Sequence, residues 1–194
     1  MFIDIRFSVV ILTIMQKDVS KVHIIGAPGS GKTYLSKKLS KQLNAPLLEL
    51  DQIHWDNNAD TYNTKAPEHE RDANLLKFTE QDSWVIEGIY YKWVDNSFKS
   101  ADAIIILNIP NYLRNFRIIK RFILSKVGIG QCNEMSIKDL KALITWGNSF
   151  TKNNLPEIIA KTEPYKSKRD IFSKADKVVK NTQLSQNCTK KKKT

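Results

Sequence analysis

Cysteine is nearly missing from this chain. Of 194 residues only Cys132 and Cys188 carry thiols, too far apart to form a metal-ligand spacing or a disulfide framework. That excludes a cysteine-stapled secreted scaffold and a zinc module, and it points to a reduced, cytoplasmic setting. Histidine is scarce too: His23, His54 and His69 form no metal cluster, and His23 reads as a strand residue in a partly polar place. A long hydrophobic run is lacking. The most apolar stretch, MFIDIRFSVVILTIM at 1–15, is shorter than a membrane span and carries Asp4 and Arg6. It also lacks the basic start and small-residue cleavage site of a secretory signal. Residues 1–20 therefore read as an N-terminal extension, with an upstream start before Met15 as one source, and no stable membrane insertion is expected. There is no internal repeat and no long linker, which leaves one domain over 21–183.

Acid is also in short supply. The chain has 20 Asp and Glu against 31 Lys and Arg, a net charge of +11. Part of the excess is the lysine run at 190–193, in a tail over 184–194 that is expected to be solvated and disordered. A basic balance suits polyanions, and charge alone leaves nucleotides and nucleic acid both open as partners.

What the chain does have is VHIIGAPGSGKTYLSKKL at 22–39. Gly26, Gly31, Lys32 and Thr33 occupy the fixed places of the pattern G-x-x-x-x-G-K-[ST]. The glycines let the backbone curl so that successive N–H groups point into one concavity, a shape that suits phosphate. A helix beginning at the turn adds its positive end. Lys32 can reach a terminal phosphate, and the Thr33 hydroxyl can ligate Mg²⁺. Ala27, Pro28, Gly29 and Ser30 complete the turn without blocking its amides. Context supports the pattern: an apolar run at 22–25 precedes it, and Leu35, Leu39 and Leu43 follow at helical spacing. ATP and Mg²⁺ are the implied cofactors.

Strand-like runs at 22–25, 46–50, 84–87, 103–107 and 169–172 alternate with helical stretches at 31–43, 67–81, 111–127, 137–150 and 173–181. Near-continuous apolar strands separated by helices predict an α/β fold, a five-stranded parallel sheet with helices on both sides. Ligands in such sheets lie beyond the carboxyl ends of the strands. The segment GIGQCNEMS at 128–136 breaks the helical pattern. A lid around 122–137 and an ordinary loop both remain open, and Ser136 with Asp139 reads as a helix cap.

The edge rule directs attention to Asp51, which follows the second strand, and Glu87, which ends the third. Phosphoryl transfer needs a carboxylate to orient the acceptor and acids or their waters to steady Mg²⁺. In NYLRNFRIIKRFILSKV, Tyr112, Phe116, Ile119 and Ile123 share one helix face, and Arg114, Arg117 and Arg121 share the opposite one. Forked guanidinium donors match phosphate oxygens. Arg117 and Arg121 are the favoured catalytic pair, with Arg114 left between a functional and a solvated role. The long polar region 52–82 holds Trp55, Tyr62 and Arg71 and can cover an acceptor; Trp55 either stacks on a ring or packs in the core.

Together these residues resemble the adenylate-kinase-like P-loop kinases. GAPGSGKT, the acid-glycine pair in IEG at 86–88, and IPNYLRNFRIIKR are similar to that family's segments. A nearer resemblance is to sequences labelled DNA topology modulation protein, FlaR-related, through DQIHW, WVIEGIYY and CNEMS. The resemblance implies a three-layer α/β/α kinase with a small lid. It implies Gly26 to Thr33 on the triphosphate, Thr33 and Glu87 at the metal, Asp51 on the acceptor, and Lys32, Arg117 and Arg121 on the transferring group. The adenylate kinases place an arginine soon after the acid-glycine pair; here Ile89, Tyr90 and Tyr91 follow. That departure counts against a nucleoside monophosphate acceptor, and an acceptor hydroxyl placed by Asp51 fits at least as well. A nucleotide-dependent DNA-associated protein and a simple ATPase are the alternatives.

Overall fold

The computed structural model describes residues 18–56, 64–128 and 136–173. The apolar stretch 1–15, most of the glycine-containing segment 128–136, both cysteines and the basic tail lie outside the described residues.

Five strands form one parallel sheet in the order β2-β3-β1-β4-β5: β1 Lys21–Gly26, β2 Leu47–Glu49, β3 Trp84–Gly88, β4 Ala103–Asn108 and β5 Arg169–Ser173. The two-sided apolar runs explain the burial. Along β1, Val22 and Ile24 join one core cluster while Ile25 joins the other. On one face lie Leu35 and Leu39 of α1 Lys32–Leu43. On the opposite face lie Leu75 of α3 Glu68–Thr79, Phe98 of α4 Asp95–Ser100, and Phe150, Leu155 and Ile158 of α6 Ile137–Lys161. This is the expected α/β sandwich. Because β1 pairs with β3 on one side and β4 on the other, the chain reverses direction across the sheet there. Such a switch point opens a crevice beyond the strand ends.

Element by element, some expectations change. Short helices α2 Asp51–His54 and α4 were not anticipated. The helix expected to end at 150 continues to Lys161 through Pro156. The missing proline amide costs one helical bond, and buried Leu155 and Ile158 beside it supply the packing that keeps the helix going. Its start is as expected: Ser136 and Asp139 form a reciprocal capping box. Of the helix expected over 173–181, Ser173 instead closes β5, and the rest lies outside the described residues. Residues expected in the lid up to Lys126 belong to the last turns of α5 Asn111–Lys126.

The main correction concerns α5. Its two faces are opposed as the spacing indicated, but the arginine face is the packed one. Arg114 is 0% exposed, whereas Tyr112, Phe116, Ile119 and Ile123 are 55%, 65%, 40% and 55% exposed. Arg114 is buried because its donors all find acceptors. Nε bonds Ile109 O at 3.0 Å and Nη1 bonds Pro28 O at 3.3 Å. Nη2 reaches Asn111 Oδ1, Gly147 O and Thr151 Oγ1 at 2.6, 2.9 and 2.9 Å. These bonds offset part of the cost of burying the charge, and burial still holds the guanidinium below its usual range.

Candidate active site

β1 ends at Gly26 and α1 starts at Lys32, so the five residues between them make the turn. Gly31 sits at φ 97 and Gly29 at φ 73, in the left-handed region that glycine enters without strain. At Gly29 a side chain is also sterically barred: a Cβ would lie 2.7 Å from Arg114 O. No side chain caps the start of α1 and no acid lies in its first turn. Its amides and the positive end of its dipole are therefore left for an outside anion.

Lys32 and Thr33 open α1 beside β3. Thr33 Oγ1 donates to Glu87 Oε1 at 2.7 Å, and Lys32 Nζ stands 4.0 Å from Glu87 Oε2. Burial pulls the Lys32 ammonium below its usual range against the opposing attraction of Glu87 and Asp51, while Arg121 and Arg114 add to the lowering. Burial pushes the Glu87 carboxyl up, countered by Lys32 and the Thr33 bond, with Glu49 and Asp51 adding to the rise. The fields of Asp51, Glu87, Arg114 and Arg121 thus all converge on Lys32. Arg117 Nη1 donates to Gly29 O at 3.3 Å and Ser30 O at 3.0 Å, on the carbonyl side of the turn. Arg121 lies one helical turn further along α5 and is exposed. The structure therefore gathers the turn, Asp51, Glu87, Lys32, Arg117 and Arg121 at one edge, and gives Arg114 the part of a buried brace.

The Asp51 side of this edge contains residues the sequence reading did not single out. Asp51, the first residue of α2, accepts a hydrogen bond from Tyr90 Oη at 2.7 Å. Trp55 in turn hydrogen-bonds the Tyr90 hydroxyl. Burial, followed by the bond to Asp51, drives the Tyr90 phenol far above its ordinary value, so it stays a donor. His54 is the hub of an aromatic cluster: its ring centroid lies 4.7 Å from Trp55, 4.3 Å from Tyr90 and 6.1 Å from Trp93. Burial keeps His54 below its usual range and hence neutral. Arg71 stacks over Trp93 at 4.4 Å. The motifs DQIHW and WVIEGIYYKW carried the signal for this cluster, but only folding places their aromatics together.

The sequence pattern of the AAA domain matches residues 22–122. The chain belongs to the AAA domain family. The matched segment runs from β1 into α5 and so includes the turn, Asp51, Glu87, Arg117 and Arg121. Among curated proteins, this AAA domain chain is 33% identical over 101 residues to the uncharacterized protein YqaC of Bacillus subtilis (strain 168), covering 52% of this chain and 55% of that protein. The chain thus spans about half the length of that relative. Among solved structures it is similar to a gluconokinase from Sinorhizobium meliloti 1021, at 13% identity and TM-score 0.47, over 81% of this chain and 83% of that one. It is also similar to a shikimate kinase from Bacteroides thetaiotaomicron, at 16% identity and TM-score 0.45, over 82% and 90%. No helix among the described residues is long and apolar enough to cross a membrane.

Proposed function

We propose that this AAA domain protein is an ATP-dependent phosphotransferase that moves the γ-phosphoryl group of ATP to a nucleotide or a small hydroxyl-bearing metabolite. One observation carries the reading: an uncapped helix start behind a left-handed glycine turn, with Lys32 held among Glu87, Asp51 and Arg121. Gly26, Ala27, Pro28, Gly29, Ser30, Gly31, Lys32 and Thr33 bind the triphosphate through main-chain amides and the Lys32 ammonium. The hydroxyl of Thr33 beside the Glu87 carboxylate is a hard-oxygen pair of the kind that suits Mg²⁺. Those two residues would hold the ion, which when bound offsets phosphate charge. Asp51 orients the acceptor hydroxyl and takes its proton as the acceptor oxygen bonds to the γ-phosphorus. The bond to the β–γ bridging oxygen breaks and ADP leaves. Lys32, Arg117 and Arg121 stabilise the charge spread over the transferring group.

The motifs DQIHW and WVIEGIYY supply Asp51, Glu87 and Tyr90 to this edge, which favours kinase chemistry. Association with DNA is the alternative, favoured by the net charge of +11. A salt titration of DNA binding with and without residues 184–194 separates the two. The phosphotransferase reading is tested by calorimetry with MgATP. Lys32→Ala should weaken binding at least tenfold, and unchanged heat and affinity would overturn the reading. Arg121→Ala should lower turnover by about 10³ with little change in ATP affinity.

A further inference from the structure

The phosphotransfer reading leaves the acceptor open, and the charges and rings beyond Asp51 narrow it. At the ends of β2 and β3, the charges of Glu49 and Asp51 are both felt at Glu87. The cations nearby are mostly committed. Lys32 faces Glu87. Arg71, 8% exposed, is held by Asp72 through Nε and Nη2 at 2.8 Å each and stands over the Trp93 ring at 4.4 Å. Exposed Lys65 is the remaining cation felt at His54. An anionic acceptor would enter against exposed Asp51, with Glu49 and Glu87 beyond it only partly offset by Lys37 at 3.6 Å and Lys32 at 4.0 Å, at a like-charge cost. The same place is rich in rings: Trp55, Tyr90 and Trp93 are each only partly covered, and all pack on buried His54. Flat, partly covered aromatics bind ring faces with little ordering cost.

We infer that, if the phosphotransfer reading holds, the acceptor is a cyclic alcohol without an anionic group, a nucleoside, sugar or cyclitol, whose ring lies on the Trp55–Tyr90–Trp93 wall. Tyr90 is the positioning residue. Its hydroxyl, supported by Trp55, occupies Asp51 Oδ1 and leaves the second carboxylate oxygen for the acceptor proton.

The test is ADP release from MgATP with two matched sets of compounds. Adenosine, thymidine, glucose and myo-inositol form the first. AMP, TMP, glucose 6-phosphate and myo-inositol 1-phosphate form the second. At least one compound of the first set should raise the acceptor-free rate tenfold or more, and its anionic partner should be at least ten times poorer. A best acceptor from the second set overturns this inference and leaves the phosphotransfer reading standing. A rate that no compound changes overturns both. With the best acceptor, Tyr90→Phe should lower kcat about tenfold and leave KM in place. Trp55→Leu should raise KM on the order of tenfold, with Trp55→Phe restoring it. Equal losses in kcat and KM from both variants would refute the division of roles.

Discussion

His23 offers a quantitative check on the packing of β1. It is wholly buried, and its Nδ1 lies 2.8 Å from Ser97 Oγ. The Ser97 hydroxyl donates its one proton to Val94 O at 2.8 Å. Nδ1 must therefore carry the hydrogen, and Nε2 is left as a buried acceptor without a partner. The ring packs against Phe98 at 4.8 Å, and its strand neighbours are Ile86 and Ile104. Burial lowers its pKa from 6.5 to about 3. Below pH 6.5 the unfolded chain takes up a proton that the folded chain refuses, so stability falls as pH falls. At about 1.4 kcal/mol per pH unit, about 2 kcal/mol is lost by pH 5 and about 4 kcal/mol by pH 3, where the folded ring begins to take up its own proton. His23→Leu removes this titration and the orphaned nitrogen while Ser97 keeps its bond to Val94. Urea unfolding followed by tryptophan fluorescence, at steps from pH 8 to pH 5, gives the difference between wild type and variant. Every other titrating group is common to both and cancels. The difference should be flat above pH 7.5 and shift by about 2 kcal/mol in favour of the variant at pH 5. Parallel curves down to pH 5 would refute the burial argument.

Arg114→Met should leave the carbonyls of Ile109, Pro28 and Gly147 without their donor, costing about 3 kcal/mol in urea unfolding and weakening MgATP binding in calorimetry. Arg114→Lys should rescue little, because one ammonium cannot span acceptors from the turn, α5 and α6. Gly29→Ala combines a positive φ of 73 with a Cβ 2.7 Å from Arg114 O, so it should lower stability by about 1–3 kcal/mol and impair ATP binding with it. Ser136→Ala removes the cap of α6 and should cost about 1 kcal/mol in thermal or urea unfolding, leaving MgATP affinity unchanged.

The turn was legible because its chemistry is local: glycines, lysine and threonine at fixed spacing need no distant partner to be recognised. Asp51 and Glu87 were legible because each follows an apolar run, and strand ends in an α/β sheet share an edge. The inside of α5 was not. Periodicity showed two opposed faces, and the apolar one would ordinarily be packed inward. The guanidinium of Arg114 reverses that by finding carbonyls on the turn and on α6, which no spacing within α5 discloses. Tyr90 was visible only as the place where an arginine is missing. Its bond to Asp51 joins residues 39 positions apart and comes from the parallel pairing of β2 with β3. The strand order itself was likewise beyond a pattern that records only alternation.

The brace at Arg114 also carries a consequence for synthesis. Pro28 emerges early, but the guanidinium that holds its carbonyl depends on Gly147 and Thr151 to complete its own shell. A fragment ending where the shared family segment ends, at residue 122, would have the arginine without those partners. On the phosphotransfer reading, the first third of the chain should therefore gain its grip on a nucleotide only once residue 151, in the last third, has left the ribosome.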